Sequence, residues 1–251
     1  MNYRGQGTIF VIVAAILVVM ILIFFVIFRG PEIEVTREFD NPENYIGKCI
    51  KDALKEKIEI MIPQGGFVNP VDYKIYNDTK ITYLCKNVNY YDSCVNQYPR
   101  YLNSLKEEIE REIKQDVGNC YISLEGELKD KNYKVSGGNL EVIAELKPNF
   151  VELKAVRDFT MSKGEDVRRF DSFTAKVESG FYDLARIAVE ITSSEARFCY
   201  FEYVGFDILY NNLDVRKWVM SDTKKIYSIK DKNTQEEMNI AVRGCVIPAG
   251  F

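Results

Sequence analysis

The stretch Thr8–Phe28, TIFVIVAAILVVMILIFFVIF, carries no charged residue and no proline. At a rise of about 1.5 Å per residue it makes a helix of roughly 30 Å, the thickness of one hydrocarbon core. Everything from Pro31 onward is then cargo held at a membrane surface. A secretory signal has a shorter apolar core, about 7–15 residues, with small residues at a cleavage site behind it. Here the run closes on Phe28-Arg29-Gly30-Pro31-Glu32, so it reads as a retained single-pass anchor. Arg4 precedes it, whereas Arg29 is outnumbered beyond it by Glu32, Glu34, Glu38 and Asp40. The positive-inside bias puts the N-terminus in the cytoplasm and the C-terminal part outside the cell.

Cysteine usage agrees with export. All six, Cys49, Cys85, Cys94, Cys120, Cys199 and Cys245, follow the anchor, and none forms a Cys-x-x-Cys pair. An even number of such thiols is the usage of an oxidised extracellular domain. Buried thiols in an intracellular protein are the alternative. Asn77-Asp78-Thr79 is a glycosylation sequon, which makes Asn77 a candidate acceptor.

Charge and the missing histidine exclude whole classes of function. Beyond the anchor, 31 Lys and Arg (33 less Arg4 and Arg29) stand against all 37 acidic residues, a net charge of −6. Such a surface repels phosphate backbones, so no nucleic-acid partner is expected. With no histidine in the chain, no Ser-His-Asp or Cys-His nucleophile pair and no imidazole metal ligand can be built. Carboxylate chemistry of the glycosidase kind and oxygen-ligated calcium survive. Neither has a recognisable loop, so no catalytic residue, cofactor or metal is assigned and the reading is non-enzymatic.

At the head of the anchor stands Arg4-Gly5-Gln6-Gly7-Thr8-Ile9-Phe10. A basic residue, a glycine and a glutamine before an apolar helix resembles the class III signal of archaeal type IV pilin-like proteins. The resemblance implies cleavage between Gly5 and Gln6 on the cytoplasmic side. It also implies that the freed helix can pack with others in a filament core, with Gly7, Ala14 and Ala15 permitting close approach. Phe10 stands where many pilins carry a glutamate, and Gly30-Pro31 should stop the helix at the bilayer surface. An uncleaved signal anchor is the other reading of the same residues. The longer pattern of Cys49-Ile50, Gln64-Gly65-Gly66-Phe67 and Phe173…Tyr182-x-x-Ala185 is similar to uncharacterised anchored ectodomains of small-genome archaea, which imply location rather than activity.

Residues 1–7 thus read as a short cytoplasmic segment, 8–28 as the transmembrane helix, 29–40 as a stalk and 41–251 as an extracellular domain, with a subdivision conceivable near 120–128. That domain is expected to be α+β, about three helices on antiparallel sheet, stapled by disulfides. Asn41 and Pro42 should start the first helix, with Ile46, Cys49, Ile50, Ala53, Leu54, Ile58, Met61 and Ile62 on one face. Gln64-Gly65-Gly66-Phe67 should stop it, although such a loop could also bring amides to an anion. A hairpin is expected over Asp72–Leu84 with Asn77 at its tip. Cys85 and Cys94 should close a local loop. Around it lie Tyr73, Tyr76, Tyr83, Tyr90, Tyr91, Tyr98 and Tyr101. These tyrosines either cover the core edge or form a recognition surface, with adjacent Tyr90 and Tyr91 the strongest binding candidates.

Pro99 should open a second helix ending at Gly118, with charges paired along its face and Cys120 bonded to Cys49 across the two helices. From Tyr121 to Glu178 an antiparallel meander is expected. Its charged residues Arg157, Asp158, Glu165, Asp166, Arg168, Arg169 and Asp171 should gather at a hairpin tip. Ser179 should cap a third helix, followed by strands near Arg197–Tyr210, Val215–Met220, Lys224–Lys230 and Met238–Cys245, the first and last stapled through Cys199 and Cys245.

The reading that follows is a membrane-anchored, pilin-like cell-surface protein that mediates surface assembly or adhesion, with copies of itself or other surface proteins and glycans as partners. The alternatives are an anchored carbohydrate-active enzyme using carboxylates, or a ligand-binding subunit of an envelope complex.

Overall fold

In the computed structural model of the chain, residues 17–20, 41–89, 91–220 and 223–244 are described. The chain divides into two compact units, Met1–Asp40 and Asn41–Phe251. Of the first, Leu17–Met20 are helical and exposed. The rest of the expected anchor, the stalk and the Gly5-Gln6 cleavage site lie outside the described residues. Among the described residues no helix is long and apolar enough to cross a membrane.

Helix α1 spans Pro42–Met61, and Asn41 caps it through a hydrogen bond from the Glu43 N–H to Oδ1, 3.1 Å. Ile46, Ile50, Leu54, Ile58 and Met61 form its buried face, the spacing a 3.6-residue period demands. The stop is a 3-10 turn over Ile62–Gln64, followed by Gly65 at φ 72° and Gly66 at φ 90°. Both glycines sit where several elements meet. A Cβ on Gly65 would lie 2.8 Å from the Asn239 carbonyl oxygen, and one on Gly66 would lie 2.3 Å from Leu105 Cδ2. Thr82 Oγ1 donates to the Gln64 carbonyl at 2.6 Å and the Tyr101 hydroxyl to the Gly65 carbonyl at 2.9 Å. Gly65→Ala is therefore expected to destabilise the domain by about 2 kcal/mol, because left-handed strain adds to a clash with backbone that cannot swing away. A urea midpoint unchanged from wild type would refute that.

The hairpin β1 (Tyr73–Tyr76) and β2 (Thr79–Lys86) turns on Asn77 and Asp78, both at positive φ, the signature of a type I′ turn. After the short β3 (Val95–Asn96), helix α2 runs over Tyr101–Asp130. It does not end at Gly118. Cys120, Tyr121, Leu124 and Leu128 prolong the buried stripe of Leu105, Ile109, Ile113 and Val117, and burial of that stripe outweighs the roughly 1 kcal/mol a mid-helix glycine costs. Segment 120–128, where a subdivision was conceivable, is consequently helical.

Strands β4 (Lys134–Gly137), β5 (Glu141–Lys147), β6 (Phe150–Lys163) and β7 (Asp166–Glu178) form an antiparallel sheet. The long β6 pairs with both β4 and β5 along one edge and with β7 along the other. Helix α3 follows over Phe181–Phe198. Cys199 ends it in the left-handed conformation, φ 57°, and a short helix α4 (Tyr203–Leu209) replaces the strand expected there. Strands β8 (Leu213–Val219), β9 (Lys224–Asp231) and β10 (Glu237–Arg243) complete the chain's regular elements among the described residues.

The last three strands join the first hairpin in the order β1-β2-β10-β9-β8, and β10 lies parallel to β2. An all-antiparallel sheet is thus corrected to two sheets, one of them mixed. Neighbouring strands lie about 4.8 Å apart, so a flat sheet would hold β1 roughly 19 Å from β8. Yet the rings of Tyr76 on β1 and Trp218 on β8 are 5.8 Å apart. The sheet curls, and Ile81, Tyr83, Ile226 and Ala241 fill its concave face as a second, small core. The main core is continuous, with α1 packed on α2 and β7, α2 on β5, and α3 against α2, β9 and β10.

Disulfides join Cys49 to Cys120, Cα atoms 6.0 Å apart, and Cys85 to Cys94. Cys199 is disulfide-bonded as well, and Cys245 lies outside the described residues.

Tyr101, Tyr121 and Tyr227 are buried, and burial raises the pKa of each above the ordinary tyrosine range, that of Tyr121 to about 12. A folded-state pKa above the unfolded value of about 10 gives stability that is complete below pH 10 and drains away as pH rises through the folded value. Phenolate absorbance should show these three tyrosines ionising only as the fold opens at alkaline pH. Their smooth titration near pH 10 with the fold intact would contradict it.

Candidate functional site

A cleft of about 880 Å³ opens where α1, the end of β7 and two turns converge. Helix α1 brings Lys51, Lys55 and Glu59 to it, one turn apart along the flank of its buried stripe. The β5–β6 turn brings Asn149 and Phe150, β7 brings Lys176 and Glu178, and the β9–β10 turn brings Asn233, Thr234 and Glu236. Three lysines and three glutamates give no field of one sign.

Phe150 forms one wall, half-buried. The ammonium groups of Lys176 and Lys147 lie 5.1 and 5.8 Å from its ring centroid. Glu152 links them, 3.1 Å from Lys176 and 3.4 Å from Lys147, and the hydrogen bond from Lys176 holds its carboxyl below the usual glutamate range. On the opposite wall the β9–β10 turn closes on itself, with Asp231 Oδ1 accepting from the Asn233 N–H at 2.8 Å.

An α-helix N-terminus is a ready-made anion site, but at α3 the protein fills its own. Glu236 Oε2 accepts from the Gly180 N–H at 2.5 Å and Ser179 Oγ from the Phe181 N–H at 3.1 Å. The N-cap position is Gly180, with no side-chain cap of its own, so Ser179, expected to cap the helix, stands one residue before it. Lys55 and Glu59 pair with each other at 3.7 Å. The side chains of Lys51, Asn149, Glu178 and Asn233 have no protein partner among the described residues, and they set the cleft's chemistry: one ammonium, one carboxylate and two amides, suited to hydrogen-bonding a polar surface. Of the cleft's three glutamates, Glu59 pairs with Lys55 and Glu236 accepts the Gly180 N–H.

No known protein family, no curated protein and no solved structure matches this chain. Its chemistry is therefore read from its own residues.

The residues singled out from sequence do not converge on the cleft. Asn77 is exposed at the hairpin tip, an open position for a glycan. Tyr91 is 81% exposed on the loop closed by Cys85–Cys94, and Tyr90 lies outside the described residues. The other tyrosines of the group divide. Tyr83 and Tyr101 are buried, Tyr98 packs on Phe67 with centroids 4.6 Å apart, Tyr76 meets Trp218, and Tyr73 stays exposed. Most of the cluster is core edge. Residues 164–169 are exposed at the β6–β7 tip, as charge suggests, but Arg157 is not among them. Its guanidinium lies 4.6 Å from the Tyr121 ring centroid and 3.0 Å from Glu125. Along α2, Glu110 turns from its helical partners to accept the Ala144 N–H of β5 at 2.9 Å.

Two buried acids escape a reading by pattern. Glu108 accepts the Val68 N–H at 3.1 Å and pairs with Arg111. Glu195, 0% exposed, receives Lys225 Nζ at 2.9 and 2.6 Å on its two oxygens and the Tyr227 hydroxyl on one of them. Lys225 also donates to the Cys199 carbonyl at 2.7 Å, tying the end of α3 to β9. The signal was present: each glutamate sits within its helix's apolar stripe. Among the described residues no group of three or more His, Cys, Asp or Glu side chains is placed to hold a metal ion.

Proposed function

We propose that this chain is a cell-surface structural or interaction protein, pilin-like in its anchoring, whose N-terminal helix holds an exported α+β domain for surface assembly or adhesion. The observation that carries the reading is the state of the cysteines: Cys49–Cys120, Cys85–Cys94 and a bonded Cys199 leave no free thiol among the described residues. Such bonds persist in oxidising compartments. An oxidised domain behind an apolar run of bilayer length is what a single-pass protein with its C-terminal part outside the cell requires. The cleft, with unengaged amides and balanced charge, supports one alternative specifically, a subunit that binds a polar ligand within an envelope complex.

The test is the intact mass of the protein extracted from its native membrane without reductant, with N-terminal fragmentation. A chain beginning at Gln6 and lacking about six hydrogens is expected, three disulfides behind a processed signal. A chain beginning at Met1 would replace processing by a plain signal anchor. Free thiols would overturn the external location.

A further inference from the structure

Strand register sets three cations side by side at one end of the mixed sheet. Arg243 on β10 stands opposite Lys86 on β2 and, on its other side, opposite Lys224 on β9. Like charges placed opposite one another across strands repel. Asp72 answers one of the three, accepting from Lys86 Nζ on its two oxygens at 2.8 and 2.6 Å. The Arg243 guanidinium has no such answer: no hydrogen bond or ion pair reaches it from the described residues, and its Nε is shut off from water. Beside it lies a second polar group in the same condition. Tyr83 is 5% exposed, its ring part of the small core of the curled sheet with Lys86 Nζ 5.3 Å from the centroid, and its hydroxyl has no hydrogen-bond partner among the described residues. Burial pushes that hydroxyl above the ordinary tyrosine range and the charge of Asp72 adds to the rise, while Arg243 opposes it, so acid, guanidinium and hydroxyl share one neighbourhood.

We propose that Arg243 and Tyr83 form a binding site for an oxyanion, a carboxylate or phosphate group, at this end of the sheet. Three requirements select that chemistry. The two orphaned groups are donors, so their ligand must accept. The guanidinium presents parallel N–H groups that match two oxygens of a carboxylate or phosphate, whereas an ammonium or a metal ion would meet only more positive charge. The ligand must also carry charge. Water could accept from Nε and from the hydroxyl, but it would leave the Arg243 cation, partly withdrawn from solvent, without a counter-ion. The chain as a whole is negative, so its overall field does not draw anions in, and recognition falls to the fork and the hydroxyl themselves. The site shares no residue with the cleft, and it stands whether or not the chain assembles at a surface.

The experiment is calorimetric titration of the full-length chain in detergent with inorganic phosphate and, separately, with acetate, at an ionic strength held constant with chloride. Saturable binding is expected. Phosphate alone would assign the site to phosphate groups, acetate alone to carboxylates, and both to either. Arg243→Gln should weaken binding by more than about tenfold and Tyr83→Phe by about fivefold, while Arg216→Gln, in an exposed pair with Asp214, should change nothing. Without anion, Tyr83→Phe and Arg243→Gln should leave the urea midpoint at or above that of wild type, because neither removes a hydrogen bond from the fold. A midpoint lowered by Tyr83→Phe would assign the hydroxyl to the fold and strike it from the site. A wild type that binds neither probe overturns the site, as does binding that Arg243→Gln leaves intact or that Arg216→Gln weakens equally. Binding gained only when residues 246–251 are deleted would name the chain's own C-terminal segment as the occupant and overturn it too.

Discussion

Glu195→Gln is expected to lower the stability of the domain by about 3–5 kcal/mol, which for a domain of this size lowers Tm by roughly 10 °C. Lys225 is the reason. Its ammonium is inside the protein, its side chain 11% exposed, and its hydrogen bonds go to the two Glu195 oxygens and the Cys199 carbonyl. A glutamine keeps the shape but removes the countercharge, leaving a cation out of water with nothing to balance it. The Tyr227 hydroxyl, which donates to the same carboxylate, then faces an amide that can no longer satisfy both neighbours. The companion variant separates charge from packing: Glu195→Leu with Lys225→Met removes both ions, and its cost should fall well below that of the single change. By contrast Lys55→Ala, which breaks an exposed pair with Glu59, should change stability by less than about 1 kcal/mol. Urea midpoints for the three variants give the order directly. If Glu195→Gln and Lys55→Ala proved equal, the buried pair would have no special role.

That pair also marks where a reading by pattern stops. Local signals were sufficient for α1, where Asn41, Pro42 and a five-member apolar stripe agree, and for the first hairpin, where Asn77-Asp78 divides two short apolar runs. The alternation of β5, β6 and β7 and their turns was equally local. The course of α2 beyond Gly118 was not, because a glycine is a stop only when nothing downstream has to be buried. Cys120, Tyr121, Leu124 and Leu128 did have to be. Nor could any local pattern announce that β2 pairs in parallel with β10, which arrives some 150 residues later. The cleft has the same origin. Its lining comes from α1, the β5–β6 turn, β7 and the β9–β10 turn, four segments that only tertiary folding brings together. Glu195 and Glu108 were hidden by a subtler rule, that an acid at a stripe position is ordinarily a frayed edge. Here each is buried and finds a partner on another element, Lys225 in one case and the Val68 N–H in the other.

Replacing Cys49 and Cys120 together with serine is expected to cost about 4 kcal/mol, and replacing Cys85 and Cys94 about 2.5 kcal/mol. Chain entropy sets that order, because the first bond joins residues 71 apart in sequence and the second residues 9 apart. The first also clamps α1 to α2, whose stripes form much of the central core, so its loss loosens the seam between the helix packed on β7 and the helix packed on β5. The second closes a surface loop that has a further restraint. Asn87 Nδ2 donates to the Asp92 carbonyl at 3.2 Å and to the Gly244 carbonyl at 3.0 Å, which keeps the loop seated when the sulfurs are gone. Two measurements decide the matter, the urea midpoint of each double variant and the exchange of backbone amides in residues 85–94. The long-range variant should unfold at lower urea with little change in the loop. The local one should keep most of its stability and exchange faster between Cys85 and Cys94 alone. A reversed order of midpoints would mean that native contacts of the loop, and not closure of the long chain segment, dominate what these bonds contribute.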